Sequence, residues 1–179
     1  MYLRLKRLEQ AWNRLFIRSL GLMMSAPPAE PPDWDARPYR VLYLRHDKIG
    51  DMILSTSLIN AIAQSHSTIT LDVLASPANA PVLRENPHVS SVIVWDKARP
   101  MTYARLWREL RRRRYDAVVD CMVLAASTTT LLLMQVTGAR YRIGVGGRIN
   151  DYALTVRVPG SSSAAHHIEH SAVLVTAFG

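Results

Sequence analysis

The sequence predicts an α/β fold, a doubly wound parallel sheet. From Tyr39 onward, short runs rich in β-branched and aromatic residues alternate with segments of helical periodicity. Alternating strands and helices imply crossover connections, which favour a parallel sheet covered on both faces. The chain has 179 residues, of which 49% are apolar and 20% charged, as in an ordinary globular protein. This length suits one well-buried domain.

Residues 1–24 are predicted to form an amphipathic helix. Leu5, Leu8, Trp12 and Leu15 follow the three-to-four spacing of one helix face. The basic residues of the segment are Arg4, Lys6, Arg7, Arg14 and Arg18. Such a helix could lie in a membrane interface and contact anionic lipid, or it could pack on its own domain or a partner chain. The sequence leaves both possibilities open.

The next segment, 25–38, is predicted to be a linker because five prolines interrupt any periodic pattern. A single α/β domain then occupies 39–179. Its expected strands are 40–45, 69–76, 89–96, 115–122, 140–145 and 152–158. Its expected helices are 50–64, a short helix or turn over 81–86, 101–114, 127–136 and a closing helix over 164–178.

The formal net charge of +8 predicts an anionic partner. The helix over 101–114 is strongly basic at its end, through Arg105, Arg108, Arg111, Arg112, Arg113 and Arg114. Cations at a helix C-terminus are ordinarily solvated and favoured by the helix dipole. Anionic lipid is the functional alternative. Nucleic acid is not expected, because no recognition motif accompanies the charge.

Several classes of protein and site are not expected. No apolar run reaches the ~20 residues of a membrane span, and Arg14 and Arg18 interrupt any signal-peptide core. Cys121 has no disulfide partner, which is typical of a protein in a reducing compartment. We predict that it is a small core residue. His166 and His170 have helical metal-ligand spacing but only Glu169 nearby, so no metal is expected.

Neither glycine-rich nucleotide-binding motif occurs in the sequence. The stretch "RIGVGGR" (142–148) could cradle an anion, but a tight loop before the next strand is the favoured interpretation.

The stretch "RHDKIGD", which joins the first strand to its helix, is the main candidate site. In doubly wound sheets, ligands bind beyond the carboxyl ends of the strands. Gly50 would allow a ligand close to the backbone, or a positive φ. Arg45 and Lys48 could bind phosphate or carboxylate, with Asp47 balancing them. Asp51 could cap the helix or act as a general base.

The segments "RVLYLRHDKIGDMILSTSLINAI" and "ITLDVLASPANAPVLRENPHVSSVIVWD" resemble glycosyltransferase family 9, the bacterial heptosyltransferase family. The family opens with a strand, Arg-x-Asp-x-x-Gly-Asp and a helix, and has Asn-Pro before its third strand. The matching residues are Arg45, Asp47, Gly50, Asp51, Asn86 and Pro87. The resemblance covers about residues 40–179.

This resemblance implies the Rossmann-like amino-terminal domain of a GT-B fold. In the family, this domain holds a lipid-linked sugar of the lipopolysaccharide core, and a second domain holds the ADP-heptose donor. The carboxylate that matches Asp51 is taken to act as base on the acceptor hydroxyl, with inversion at the donor sugar. Arg45, Asp47, Lys48 and Gly50 would line the acceptor side. No cofactor is implied beyond the nucleotide-sugar co-substrate.

The chain departs from the family by stopping at Gly179, about where the second domain would begin. We therefore expect no sugar transfer by this chain alone, and a separate donor-binding domain or chain as a partner. Its expected location is the cytoplasm, at the inner face of the bacterial inner membrane. The alternative function is a non-catalytic module that binds anionic glycolipid.

Overall fold

The computed structural model describes Ser19 and residues 27–121, 127–147, 151–160 and 171–179. Within these residues, six parallel strands form one sheet in the order β3-β2-β1-β4-β5-β6. The strands are β1 (Tyr39–Arg45), β2 (Ile69–Ala75), β3 (Ser91–Val94), β4 (Ala117–Asp120), β5 (Tyr141–Val145) and β6 (Val156–Val158). The predicted α/β, Rossmann-like parallel sheet is confirmed.

The helices in the described ranges are α1 (Ile49–Ser65), α2 (Met101–Arg113) and α3 (Thr128–Thr137). Short 3₁₀ helices cover Ala80–Leu83, Asp151–Ala153 and Val173–Phe178. Helix α3 shows how the sequence sets its ends. The Ser127 side chain accepts a hydrogen bond from the Thr130 amide at the start, and Gly138 adopts φ 68° at the end.

Two apolar cores lie on opposite faces of the sheet, because successive side chains of a strand point to opposite sides. Val41 and Tyr43 of β1 belong to the core beneath α1, and Leu42 and Leu44 belong to the core beneath α2 and α3. All four side chains are buried. This arrangement explains why the strand sequences are almost continuously apolar.

The strand order reverses between β1 and β4, whose carboxyl ends lie side by side in the register Leu44 to Asp120. The connection after β1 runs to β2 on one side, while β4 and β5 continue on the other. Such a reversal leaves a crevice at the carboxyl edge of the sheet. The stretch from Arg45 to Asp51 therefore begins at this crevice.

The described part of the predicted linker, 27–38, packs on the domain. Trp34 is buried, stacks on Phe178 with ring centroids 4.7 Å apart, and donates its indole N–H to the Ala177 carbonyl at 2.8 Å. The Ala29 amide donates to the Thr155 carbonyl at 2.8 Å. Aromatic packing thus joins this segment to the last described residues of the chain.

A buried ion cluster fixes the start of β4 against β2. Asp72 is fully buried, and its Oδ2 accepts hydrogen bonds from Arg113 Nη1 and the Tyr115 hydroxyl, both at 2.8 Å. Burial beside this carboxylate raises the pKa of the Tyr115 hydroxyl, which stays a donor. A buried carboxylate requires such partners, since removing one leaves an uncompensated charge.

Most sequence-predicted elements are confirmed, and two differ. The run 152–158 begins as a 3₁₀ turn, because the Leu154 amide bonds the Asp151 carbonyl before β6 starts at Val156. The described end of the predicted closing helix is the 3₁₀ helix Val173–Phe178. Its β-branched Val173, Val175 and Thr176 disfavour a regular α-helix. Apart from Ser19, the predicted helix 1–24 lies outside the described residues.

None of the helices in the described ranges is long and apolar enough to cross a membrane.

We expect Trp34→Ala to lower the free energy of unfolding by about 3–5 kcal/mol, because a large buried aromatic side chain is lost. Trp34→Phe keeps the ring against Phe178 and loses only the indole hydrogen bond, so its cost should be about 1 kcal/mol. Urea unfolding of the three chains measures both values. Equal stability of Trp34→Ala and the unsubstituted chain would show that 27–38 does not pack on the domain.

Candidate functional site

The candidate site is the corner where β1 ends and α1 begins. Arg45 and His46 are each only 2% exposed, whereas Lys48, Ile49 and Gly50 are exposed and Asp51 is half-buried. Lys48 occupies the N-cap position of α1 with extended backbone, and its side chain makes no cap hydrogen bond. The corner therefore has buried polar residues beneath it and an exposed rim at the start of α1.

Arg45 ties the end of β1 to the first turns of α1. Its Nε donates to Ser55 Oγ at 2.9 Å, and its Nη1 pairs with Asp47 Oδ2 at 3.0 Å. The Ser55 hydroxyl in turn donates to the Asp51 carbonyl at 2.7 Å. Arg45 is thus placed to hold Asp47 and the helix entrance in position. The direct contact with an acceptor predicted for it stays a prediction.

Asn79, which sequence reasoning did not single out, secures the same corner from β2. It is fully buried, and its Nδ2 donates to the carbonyls of Arg45 at 3.1 Å and Asp47 at 3.3 Å. Its Oδ1 accepts from the Ser76 amide at 2.8 Å. The available signal was an asparagine among small residues after a strand, where the side-chain amide often replaces backbone partners.

At this corner, the Asp51 carboxylate is close enough to act on the charge of the Asp47 carboxylate. Asp47 Oδ2 is held by Arg45, while its buried Oδ1 has no hydrogen-bond partner among the described residues. Burial raises the pKa of Asp47, and Asp51 adds to the rise, while Arg45 opposes it. Asp51 is in the first turn of α1, where the helix dipole favours its negative charge.

Gly50 leaves the first turn of α1 open. A Cβ built at this position would meet nothing within 4 Å. Its φ is not positive, since the positive-φ glycines in the described ranges are Gly138, Gly147 and Gly179. The expected positive φ at Gly50 is therefore wrong, and no neighbouring side chain requires a glycine here. Close approach of a ligand to the backbone is the remaining explanation from the sequence.

His46 forms the buried floor beside these carboxylates. Its ring stacks on Trp95, with centroids 5.4 Å apart and planes 15° apart. Neither ring nitrogen has a hydrogen-bond partner among the described residues. Burial lowers the pKa of His46 from 6.5 to about 4, and the positive charges of Lys97 and Arg45 act in the same direction. The imidazole is therefore neutral at pH 7.

The neighbouring strand ends give three further outcomes. Cys121 is fully buried, and burial raises the pKa of its thiol, so the predicted core role is confirmed. The Gly147 amide donates to Asp151 Oδ2 at 2.8 Å, and the tight-loop interpretation of 142–148 stays a prediction. Buried Asp120 closes β4 beside Leu44, and sequence reasoning passed over it.

The arginines at the end of α2 are in different environments. Arg113 is paired with buried Asp72 and with Glu109, so its charge stabilises the fold. Arg112 is exposed and pairs with Glu109 at 3.3 Å. Arg111 and Arg114 are exposed. Anion contact by this group stays a prediction, and Arg4, Lys6, Arg7, Arg14 and Arg18 lie outside the described residues.

In the described ranges, no group of three or more histidine, cysteine or acidic residues is arranged to hold a metal ion. The pair His166 and His170 lies outside those ranges.

Comparison with known proteins gives consistent relatives. No protein-family model matches the sequence. Lipopolysaccharide heptosyltransferase 3 of Escherichia coli is 28% identical over 100 residues, which cover 52% of this chain and 28% of the relative. Three solved structures share the fold. They are E. coli ADP-heptose lps heptosyltransferase II, a glycosyltransferase family 9 protein of Veillonella parvula, and E. coli heptosyltransferase WaaC with ADP.

The chain is glycosyltransferase family 9-like over part of its length. Against the three structures in that order, the TM-scores are 0.60, 0.67 and 0.61 and the identities 22%, 17% and 18%. The matches cover 76%, 81% and 76% of this chain but only 40%, 43% and 46% of the solved chains. The chain thus spans less than half the length of these relatives.

Two of the residues that carry the family 9 resemblance, Asn86 and Pro87, lie away from the β1–α1 corner. Asn86 Nδ2 donates to Asn60 Oδ1 at 2.9 Å, and its Oδ1 accepts from the His88 amide at 3.0 Å. Asn86 therefore anchors the connection before β3 to α1. The other matching residues, Arg45, Asp47, Gly50 and Asp51, all belong to the corner.

We expect His46 to make the protein less stable as pH falls from about 6.5 to about 4. The folded state keeps the imidazole neutral, while the unfolded chain binds a proton near pH 6.5, so protonation favours unfolding in this window. The total loss should be about 3 kcal/mol. His46→Phe keeps a ring against Trp95 and should flatten this part of the stability curve, measured by urea unfolding at several pH values.

His66 provides the matched control because its pKa shifts the other way. Hydrogen bonds to Asp35 and to the Phe178 carbonyl raise the pKa of His66, so its contribution is present at low pH and lost as pH rises. His66→Gln should leave the loss between pH 6.5 and 4 in place. If His46→Phe retains the full slope, His46 is not the group responsible.

Proposed function

We propose that this chain is the acceptor-binding domain of an inverting glycosyltransferase. The sugar would come from a nucleotide-sugar donor such as ADP-heptose, and the acceptor would be a lipid-linked oligosaccharide of the lipopolysaccharide core. Three of the four relatives named above are heptosyltransferases, which supports this donor and acceptor class. The corner at the strand-order reversal supports the placement of the acceptor.

One observation carries the proposal: a half-buried carboxylate, Asp51, stands next to an open helix start at Gly50. Beneath it, hydrogen bonds of Arg45, Ser55 and Asn79 hold the backbone of the corner in place. An acceptor hydroxyl could reach the exposed rim without displacing a core side chain. A carboxylate at the exposed start of a well-anchored helix can act as a general base on a bound hydroxyl.

In the proposed reaction, the Asp51 carboxylate accepts the proton of an acceptor hydroxyl. The oxygen attacks the anomeric carbon of the donor sugar, and a new C–O bond forms as the bond to the nucleoside diphosphate breaks. The diphosphate leaves with the electron pair, and the anomeric configuration inverts. Asp47 is held by Arg45 through a hydrogen bond from Nη1 to Oδ2 at 3.0 Å, which fixes the loop that leads into the helix carrying Asp51.

Donor binding requires groups for the nucleotide and its diphosphate, which we assign to a second domain or to a separate chain. The chain spans 28% of the curated relative and 40–46% of the three solved structures, which supports the assignment of donor binding to another domain or chain. We expect no transfer by the 179-residue chain without a donor-binding partner. Lys48, exposed at the rim, would meet an anionic group of the acceptor.

A non-catalytic module that binds anionic glycolipid is the second candidate. It is favoured by the same exposed Lys48 and by the exposed arginines of α2. Both functions place the protein at the inner face of the bacterial inner membrane, where a lipid-linked acceptor would be met. The two differ in whether the carboxylate of Asp51 is needed after the acceptor has bound.

We expect Asp51→Asn to reduce sugar transfer on the order of 100- to 10,000-fold, because the amide cannot accept the proton. The assay combines the chain with a donor-binding half and measures transfer from ADP-heptose to a lipopolysaccharide core acceptor. Acceptor affinity should change little, so the loss should lie in kcat. Binding of the acceptor is measured separately with the chain alone.

Asp96→Asn is the control, since Asp96 also follows a strand at the carboxyl edge but pairs with Arg99 on the surface. It should retain transfer. Transfer by Asp51→Asn at the unsubstituted rate would eliminate the base assignment. Acceptor binding without transfer by any combination of halves would favour the glycolipid-binding module.

We expect Gly50→Ala to weaken acceptor binding without harming the fold. The added Cβ meets no neighbour within 4 Å, and alanine favours a helix over glycine by up to about 1 kcal/mol. Thermal unfolding should therefore be unchanged or shifted upward, while the KM for the acceptor rises. Gly138→Ala is the contrasting variant, because φ is 68° there and the Cβ would lie 2.6 Å from Arg111 Nη1. It should destabilise the protein and leave the KM unchanged.

A further inference from the structure

An apolar groove lies between α2 and α3, on the sheet face opposite α1. Its volume is about 460 Å³, within the range of small-molecule sites. The groove is lined by Trp95, Tyr103, Ala104, Leu106, Trp107, Thr129, Leu132, Leu133 and Val136. Trp107 at its rim is 53% exposed and Leu132 is 45% exposed. Large apolar side chains left this open on two neighbouring helices mark a binding surface.

Besides the indole N–H groups of Trp95 and Trp107, the side chains of the groove offer few hydrogen-bonding groups. Thr129 is its one hydroxyl-bearing residue besides Tyr103, and the Tyr103 hydroxyl already donates to the Lys97 carbonyl at 3.1 Å. An extended peptide in this groove would leave backbone N–H and C=O groups without partners, which is costly. A hydrocarbon chain has no such groups. The lining therefore favours an aliphatic occupant.

Positive charge borders the same groove. Tyr103, Trp107 and Arg111 follow one another at four-residue spacing on α2, so they share one side of the helix. Arg108 is exposed and makes no ion pair among the described residues. The acid of this helix, Glu109, is engaged with Arg112 and Arg113. An occupant with an anionic head and an aliphatic chain complements both features.

The groove and the candidate site are linked by a chain of ring contacts. Tyr103 packs edge-on against Trp95 at 5.2 Å, and Trp95 stacks on His46 at the floor of the β1–α1 corner. Trp95 directly follows β3, at the carboxyl edge where β1 also ends. A lipid held in the groove would thus lie next to the polar corner where a lipid-linked sugar would react.

We propose that the α2–α3 groove binds an acyl chain of an anionic membrane phospholipid, with the phosphate at Arg108 and Arg111. Trp107 and Tyr103 then sit at the depth of the lipid head groups, which amphipathic aromatic rings favour. The protein docks on the membrane through this face. The inference does not depend on sugar transfer, so it can fail while the proposed function stands.

Other occupants fit the groove less well. A volume of 460 Å³ accommodates about one turn of an α-helix, given a helix diameter of ~10 Å and a pitch of 5.4 Å. A helical partner would therefore leave most of its apolar face uncovered. The amphipathic segment 1–24 carries five basic residues, so it would be repelled by the arginines of α2. Both alternatives remain as outcomes of the test.

The test uses the full chain and vesicles of phosphatidylglycerol mixed with phosphatidylcholine, compared with pure phosphatidylcholine. We expect sedimentation with the anionic vesicles, and on the order of tenfold weaker binding for Leu132→Gln or Trp107→Gln, since each loses a large apolar contact. Ile53→Gln is the matched control because Ile53 is 55% exposed on α1, on the opposite face. Ile53→Gln should bind the anionic vesicles as strongly as the unsubstituted chain does.

A second measurement locates the acyl chain directly. In a Trp12→Phe background, phosphatidylglycerol with brominated acyl chains should quench the fluorescence of Trp95 and Trp107, which both line the groove, and Trp107→Phe should remove the part of the quenching that comes from Trp107. Equal losses for Leu132→Gln and Ile53→Gln, or quenching unchanged in Trp107→Phe, would overturn the proposal. A self-associated chain that Leu132→Gln converts to monomer would also overturn it, in favour of a protein occupant.

Discussion

The guanidinium of Arg45 is the constraint on which the candidate site depends. It lies inside the domain at the end of the central strand β1, where an ionised group must have partners or be expelled. Ser55 and Asp47 supply those partners, and the Ser55 hydroxyl also donates a hydrogen bond to the Asp51 carbonyl. One buried charge thereby orients the loop after β1 and the first turns of α1 together.

Asn79 fixes the same corner from a second position. It holds the carbonyls of Arg45 and Asp47 from the loop after β2, so the corner is fixed by two neighbouring strands. The first turn of α1 can then remain open at Gly50 without loosening the backbone. A site whose supporting groups bond to each other, while its rim faces solvent, is pre-organised to meet a ligand.

The alternation of apolar strands and helices was sufficient to predict the sheet, because strands buried on both faces have almost continuously apolar sequences. The corner was predictable only as a group of polar residues. Its geometry depends on Asn79 and Ser55, which meet Arg45 through tertiary contacts that no local spacing reveals. The packing of Trp34 at the end of the predicted linker was not predictable for a similar reason, since its partner Phe178 lies far along the chain.

His46 and Trp95 connect the two surfaces of the molecule that face possible ligands. The rings of this pair stack with their centroids 5.4 Å apart, and both imidazole nitrogens and the indole N–H are buried with no hydrogen-bond partner among the described residues. Because the imidazole is neutral, it adds no charge that would compete with Arg45 for Asp47. A polar corner and an apolar groove thus lie close to the same aromatic pair at the carboxyl edge of the sheet, so this pair couples the geometry of the two surfaces.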